Sequence, residues 1–184
     1  MHFQTTKLDG AWLIQLEPAR DNRGFFARTY CLEEFAAHGL EIRYPQHSIS
    51  FSERRGTLRG MHFNREPHSE AKLVRCVKGA ILDVIIDIRS ASPTYRQWEA
   101  FELSDRNSSQ LYIPKGFAHG FQTLTDDVEV NYLISESYMA EAADGLRYND
   151  PSFDIAWPAP ITAISDKDLR WPDFDGRPPL FGTL

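Results

Sequence analysis

Alternation of apolar and polar residues dominates the middle of the chain and predicts a protein built from strands. In residues 81–89, ILDVIIDIR, the side chains of Leu82, Val84, Ile86 and Ile88 share one face, with Asp83, Asp87 and Arg89 among those opposite. This two-residue period is that of a strand with one buried side. Residues 71–79, AKLVRCVKG, put Val74 and Cys76 on one face. Residues 127–135, DVEVNYLIS, align Val128, Val130, Tyr132 and Ile134. Turn signals separate these runs at Lys78-Gly79, Ser92-Pro93, Asp105-Arg106-Asn107 and Pro114-Lys115-Gly116. One segment, 30–40, has helical spacing, with Leu32, Phe35, Ala36 and Leu40 three and four apart and Gly39 placed for a C-cap. From about Ser137 onward proline and aspartate rise, which predicts short helices and loops packed on the sheet core. Many short strands with regular turns predict a mainly β sandwich or barrel, with a jelly roll as the leading version and a few short helices mostly near the C-terminus. The sequence shows no internal repeat and no flexible linker. It reads as one domain, 1–184, with a core at about 20–135 and helices and loops at about 137–184.

The length of 184 residues suits one domain that can bury a core without staples. No apolar run reaches membrane-spanning length. The N-terminal MHFQTTKLDG lacks the basic-then-apolar pattern of a signal peptide, so the expected address is cytoplasmic. Cys31 and Cys76 form no C-x-x-C pair and read as small hydrophobes. A net charge of −6 argues against a nucleic-acid surface. It leaves room for one small phosphorylated ligand, which needs only a few local cations.

Candidate chemistry centres on histidine. Of the six histidines, His2 and His38 sit at a terminus and a helix end, where exposure is expected. His62 lies in Leu58-Arg59-Gly60-Met61-His62-Phe63 and His119 in Pro114-Lys115-Gly116-Phe117-Ala118-His119. The spacing Pro114 to His119 is similar to the second metal motif of cupin jelly rolls. The first such motif needs H-x-H, and Asn64 stands where its second histidine would be, so no metal is expected. Without a metal, a histidine can serve as a proton-transfer base near neutral pH. Lys72 begins the Val74/Cys76 face and, if that face is buried, needs a negative partner or a ligand. Tyr132 lies on an apolar face and needs an interior partner for its phenol. Arg23 and Arg59 each precede a glycine and suit phosphate contacts. Asp168 could orient a base or simply be the fourth residue of a helix-capping turn begun by Ser165. A base, a carboxylate, a cation and a phenol together suit proton abstraction beside a carbonyl and reprotonation.

These residues resemble the dTDP-4-dehydrorhamnose 3,5-epimerase family over about 150 residues. The matching segments are Asp21-Asn22-Arg23-Gly24-Phe25-Phe26, Gly56 to Phe63, Ala71-Lys72-Leu73-Val74, Asp87-Ile88-Arg89, Ser92-Pro93-Thr94, Pro114 to Phe121, Asn149-Asp150-Pro151, Trp157-Pro158 and Ser165 to Asp168. The resemblance implies a cupin-type jelly roll, without metal or other cofactor, that forms a homodimer. It implies His62 as general base, Asp168 as its orienting carboxylate, Tyr132 as the acid on the opposite face and Lys72 as the stabiliser of the enolate oxygen. Arg59, His119, Lys167 and Tyr138 are implied as substrate contacts, with Arg23 reaching the phosphates from the partner subunit beside Phe26.

Several ligand-reading positions depart from the family pattern. Arg28 stands where the family usually carries a glutamate that helps read the thymine base. Gln46-His47-Ser48 replaces the usual Gln-x-Asn, and Asn64 and Ala143 replace a glutamine and a glutamate. The expected function is inversion at C3, C5 or both in a nucleotide-activated 4-keto-6-deoxyhexose, in deoxysugar or polysaccharide biosynthesis. The nucleotide base and the sugar are left open. The alternative is a sugar-nucleotide-binding cupin or a ketoisomerase on the same scaffold.

Overall fold

The computed structural model describes residues 1–175, 180 and 181. Among the described residues, thirteen strands and two short helices run in the order β1 (His2–Thr5), β2 (Trp12–Gln15), β3 (Ala19–Asp21), β4 (Gly24–Phe26), α1 (Leu32–Ala37), β5 (Gln46–Ser52), β6 (Leu58–Asn64), β7 (Lys72–Lys78), β8 (Ala80–Asp87), β9 (Trp98–Ser104), β10 (Ser109–Ile113), β11 (Phe117–Thr123), β12 (Val128–Ile134), β13 (Ala143–Gly145) and α2 (Asp166–Leu169). Every strand pairing is antiparallel. A six-stranded sheet has the order β1-β2-β10-β7-β12-β5, and a five-stranded sheet β13-β6-β11-β8-β9; β3 and β4 form a separate hairpin. The two large sheets face each other as a jelly-roll sandwich. No helix among the described residues is long and apolar enough to cross a membrane.

The core between the sheets takes Val74, Cys76, Leu111, Val128 and Val130 from one side and Ile81, Ile85, Leu103, Phe117 and Phe121 from the other. Each such buried aliphatic or aromatic side chain contributes about 1.5–3 kcal/mol relative to exposure. The Val74/Cys76 and Val128/Val130/Tyr132 faces therefore point inward as their period predicts.

β8 departs from the expectation of a strand with one buried side. Its predicted apolar face, with Val84 and Ile86, packs against Met61, Phe63, Leu146, Phe153 and Phe174, under the C-terminal segment. The opposite face, with Ile81, Asp83 and Ile85, is the sandwich interior, and Asp83 and Asp87 are both 0% exposed. The acidic residues that suggested a wet face are buried with partners: Asp87 accepts from Arg89, Ser92 and Thr94. A period-two pattern cannot reveal a cover supplied by residues far away in sequence.

The sheet also begins earlier than residue 20, because β2 pairs with β10 and places Ile14 in a third cluster with Phe35, Leu40, Leu73 and Tyr112. The helix is shorter than 30–40: Phe35 and Leu40 are buried, while Leu32 is half exposed. Gly39 follows it with φ +68°, the left-handed conformation that ends helices.

Candidate active site

A cavity of about 970 Å³ opens at one rim of the sandwich. It is lined by Gln46 and Ser48 of β5, Arg59 and His62 of β6, Lys72 of β7, Tyr138, and Lys167 and Asp168 of α2. Eight sequence-predicted residues from five separate segments thus share one wall.

His62 is placed by β6, whose inward positions alternate with the outward Met61 and Phe63 in the cluster under the tail. Its Nε2 lies 2.7 Å from Asp168 Oδ1. The Asp168 side chain is 5% exposed, whereas that of His62 is 42% exposed to the cavity. Asp168 makes two kinds of contact at once. Its backbone N–H donates to the Ser165 hydroxyl as a helix cap, and its carboxylate is left for the histidine. The Gly60 N–H donates to Asp168 Oδ2 at 3.2 Å and the Trp171 indole to Oδ1 at 3.2 Å. Burial pushes the Asp168 carboxyl up, but the His62 hydrogen bond and charge, with the Gly60 and Trp171 donors, hold it below its ordinary value. A neutral His62 donating Nε2–H to this carboxylate carries its lone pair on Nδ1, as a base requires.

The space around this dyad needs two glycines. A Cβ on Gly60 would meet Gly120 Cα at 2.5 Å, and one on Gly145 would meet the Trp171 ring at 2.4 Å. Only glycine lets β6 and β11 cross so closely and lets Trp171 lie flat beside Asp168.

Lys72 does have the negative partner its position demands. Its Nζ lies 2.9 Å from Glu70 Oε1, and each side chain is 13% exposed. Asn64 donates Nδ2–H to Glu70 Oε2 at 2.9 Å.

Tyr132 and His119 lie off the cavity wall in the interior. Tyr132 is the register partner of Ser48 and of Val74, one layer below Gln46, Ile134 and Lys72. Its hydroxyl pairs with Ser50 Oγ at 3.0 Å. Burial drives its phenol far above the ordinary value, against the lowering effect of Ser50, so it is a proton donor at neutral pH. His119 is 5% exposed, and its Nε2 lies 2.6 Å from Asp83 Oδ1.

Arg59 donates to Ser52 Oγ at 3.1 Å and to the Phe51 carbonyl at 2.8 Å. Lys167 stands 5.1 Å over the Trp171 ring. Tyr138 is exposed and its N–H donates to Gln46 Oε1. Besides Tyr132 and His119, three expected residues are not on this chain's cavity wall. Arg23 and Phe26 belong to the β3–β4 hairpin, where Arg23 is tied to Asp21 and Phe26 is 78% exposed. Arg28 lies 3.6 Å from Glu34 of α1.

Four contributors escaped the sequence reading: Glu70, Asp83, Ser50 and Trp171. Glu70 lies before β7 begins at Lys72, outside the alternation that marks that strand. Asp83 was disguised as part of a solvated face. Ser50 and Trp171 carry no signal of their own. Among the described residues, no three His, Cys, Asp or Glu side chains converge as a metal ion needs.

The profile of the dTDP-4-dehydrorhamnose 3,5-epimerase family matches residues 5–176. The chain is 44% identical to the dTDP-4-dehydrorhamnose 3,5-epimerase of Methanothermobacter thermautotrophicus over 172 residues, 92% of each chain. It superposes with TM-score 0.91 and 38% identity on the Bacillus anthracis enzyme of that name, solved with TDP and pyrophosphate bound, covering 94% of this chain and 98% of the other. A 3′-monoepimerase from Streptomyces bikiniensis in complex with dTDP-quinovose superposes with TM-score 0.85 and 34% identity, covering 91% and 85%. The chain belongs to the dTDP-4-dehydrorhamnose 3,5-epimerase family of isomerases.

Proposed function

We propose that this protein inverts C3, C5 or both in a nucleotide-linked 4-keto-6-deoxyhexose, with dTDP-4-dehydro-6-deoxyglucose as the first substrate to test. The observation that carries the reading is the His62–Asp168 dyad opening into the same cavity as Lys72. A carbon-bound proton beside a ketone is acidic only when the enolate oxygen is stabilised as it forms. His62 takes that proton on Nδ1, and Asp168 stabilises the imidazolium. The electron pair moves onto O4, where the Lys72 ammonium meets the developing charge. Tyr132 returns a proton to the other face of the carbon as the ketone re-forms. The phenolate and imidazolium then reset through solvent. C3 and C5 both flank C4, so one enolate chemistry serves either.

In this reading Arg59 and Lys167 take the diphosphate, and Gln46, Ser48, Tyr138 and His119 contact the nucleotide and sugar. Arg23, Phe26 and Arg28 act on a partner's site in a homodimer. The exposure of Phe25, Phe26, Ile49 and Phe51 supports such pairing.

Incubation with a nucleotide-linked 4-keto-6-deoxyhexose in deuterated water tests the reaction. Deuterium entering at C3 or C5, and absent with His62→Ala, is expected; no exchange with any dTDP, CDP, GDP or UDP sugar overturns it. Affinities for the four free nucleoside diphosphates decide whether Arg28, Ser48 and Ala143 alter base choice.

A further inference from the structure

Glu70 is a carboxylate built into the wall of a cavity meant for an anionic ligand. Coulomb repulsion makes that costly unless the charge has work to do there. The chain around it is pinned: the Ala71 N–H donates to Ser135 Oγ at 2.8 Å and the Ser135 N–H to the Ala71 carbonyl. Each carboxylate oxygen has its own partner, Oε1 the Lys72 ammonium and Oε2 the Asn64 amide, which is 8% exposed. Asn64 and Lys72 end and begin adjacent parts of the chain, β6 and β7, in different sheets. Glu70 is thus the joint that fixes where the Lys72 charge stands relative to His62, two residues before Asn64 on β6.

The charge balance adds a second consequence. Lys72 and Glu70 cancel formally. Arg59, by contrast, is held by the neutral Ser52 hydroxyl and Phe51 carbonyl, and Lys167 by an aromatic face. An anion entering the cavity meets uncompensated charge at Arg59 and Lys167 and a neutralised pair at Lys72.

We propose that Glu70 is a positioning residue that acts through Lys72, fixing the ammonium at the enolate oxygen and keeping the substrate's diphosphate away from it. The proposal rests on the epimerase reading for the turnover it affects. Glu70→Gln keeps the shape and removes the charge. Its kcat is expected to fall about tenfold with KM changed less than about threefold, since a displaced catalytic group loses transition-state stabilisation and not ground-state binding. Inorganic pyrophosphate, measured directly by calorimetry, is expected to bind about tenfold more tightly, because an unpaired ammonium has become a third anion contact beside Arg59 and Lys167. In a Lys72→Met background, Glu70→Gln is expected to change kcat no further, the signature of a residue whose effect on turnover works only through its partner.

Glu70→Asp supplies an independent arm that keeps the charge but shortens the reach. It is expected to lose turnover while binding pyrophosphate as the unsubstituted enzyme does. Unchanged kcat and pyrophosphate affinity in Glu70→Gln, equal losses in the Lys72→Met background, or tighter pyrophosphate binding by Glu70→Asp would each overturn the proposal. An unsubstituted enzyme with no turnover of any 4-keto sugar nucleotide sinks the functional reading instead, and the pyrophosphate measurements still decide the role of Glu70.

Discussion

His62 and His119 are direct register partners on β6 and β11, and each holds its own carboxylate. The two dyads differ in what covers them. The His62 side chain is 42% exposed at the cavity, while the His119 side chain is 7% exposed in the interior, with Asp83 fully buried behind it. Side chains on paired residues of adjacent strands point the same way. One face of the sheet therefore offers a solvent-reachable histidine and, beside it, a buried histidine whose orientation is fixed.

Replacing His62 with alanine should lower kcat by about 10²–10⁴-fold, the range that a positioned general base supplies. Asp168→Asn keeps the shape but weakens control of the tautomer and of the imidazolium. Its loss should be smaller and fall on kcat more than on KM. Steady-state kinetics with a 4-keto-6-deoxyhexose nucleotide checks both. Equal activity of His62→Ala and the unsubstituted enzyme would remove His62 from the reaction.

Tyr132→Phe should separate proton removal from proton return. Ser50 can turn its hydroxyl elsewhere, so the fold should survive. Wash-out of substrate C–H label in deuterated water should persist through His62, whereas net inversion should fall by about 10²-fold or more. Proportional loss of both rates would count against Tyr132 as the opposite-face acid.

Much of this site is written in sequence because strand and helix positions carry fixed directions. The alternation through Val128, Val130 and Tyr132 set Tyr132 inside, and the same rule set Lys72 on the Val74 face. Ser165 three residues before Asp168 marked the helix start that aims the carboxylate. What escaped depends on contacts between distant segments. Asp83 reads as a wet residue until the tail covers one face of β8 and β11 supplies His119 on the other. Glu70 reads as a surface acid until Asn64 and Lys72 close on it. Phe26 and Arg28 came from resemblance alone and Arg23 from its place before a glycine, and this chain's own fold keeps all three off its own cavity.

Asp83→Asn should act on His119. The buried carboxylate gives way to an amide that cannot balance the imidazole as a charged acceptor does. The exchange should cost about 1–3 kcal/mol of stability, the range for disturbing a buried hydrogen-bonded charge. If His119 contacts substrate, KM should rise while the solvent-exchange rate at saturating substrate stays nearer the unsubstituted value. Chemical denaturation and steady-state kinetics read the two effects separately.

Gly145→Ala should reach the dyad through Trp171, from the strand position paired with His62. The new methyl would lie 2.4 Å from the Trp171 ring, so the ring must move. Trp171 donates to the Asp168 oxygen that faces His62. Moving that support should reduce kcat about tenfold or more, as small misplacements of a catalytic group do. Trp171→Phe, which deletes the donor and makes room, should partly rescue the double variant. If Gly145→Ala retains full activity, Trp171 does not hold the dyad.

The lowered ionisation of Asp168 gives the fold a defined acid sensitivity. Its folded-state value lies below the ordinary carboxylate value because His62, the Gly60 N–H and the Trp171 indole favour the anion more than burial disfavours it. A carboxyl of this kind binds protons more weakly when folded than when unfolded. Its contribution is therefore complete above the unfolded value of about 3.9 and drains away as pH falls from there through the folded value. Asp168→Asn removes the titration. Charged hydrogen bonds are worth about 1.5–3 kcal/mol, so the melting temperature should drop by about 5 °C at pH 7 for a domain of this size. The gap to the unsubstituted protein should narrow steadily below about pH 4. Thermal melts of both proteins from pH 7 to pH 3 measure that gap, and a gap independent of pH would mean that Asp168 is not held as a carboxylate by these donors.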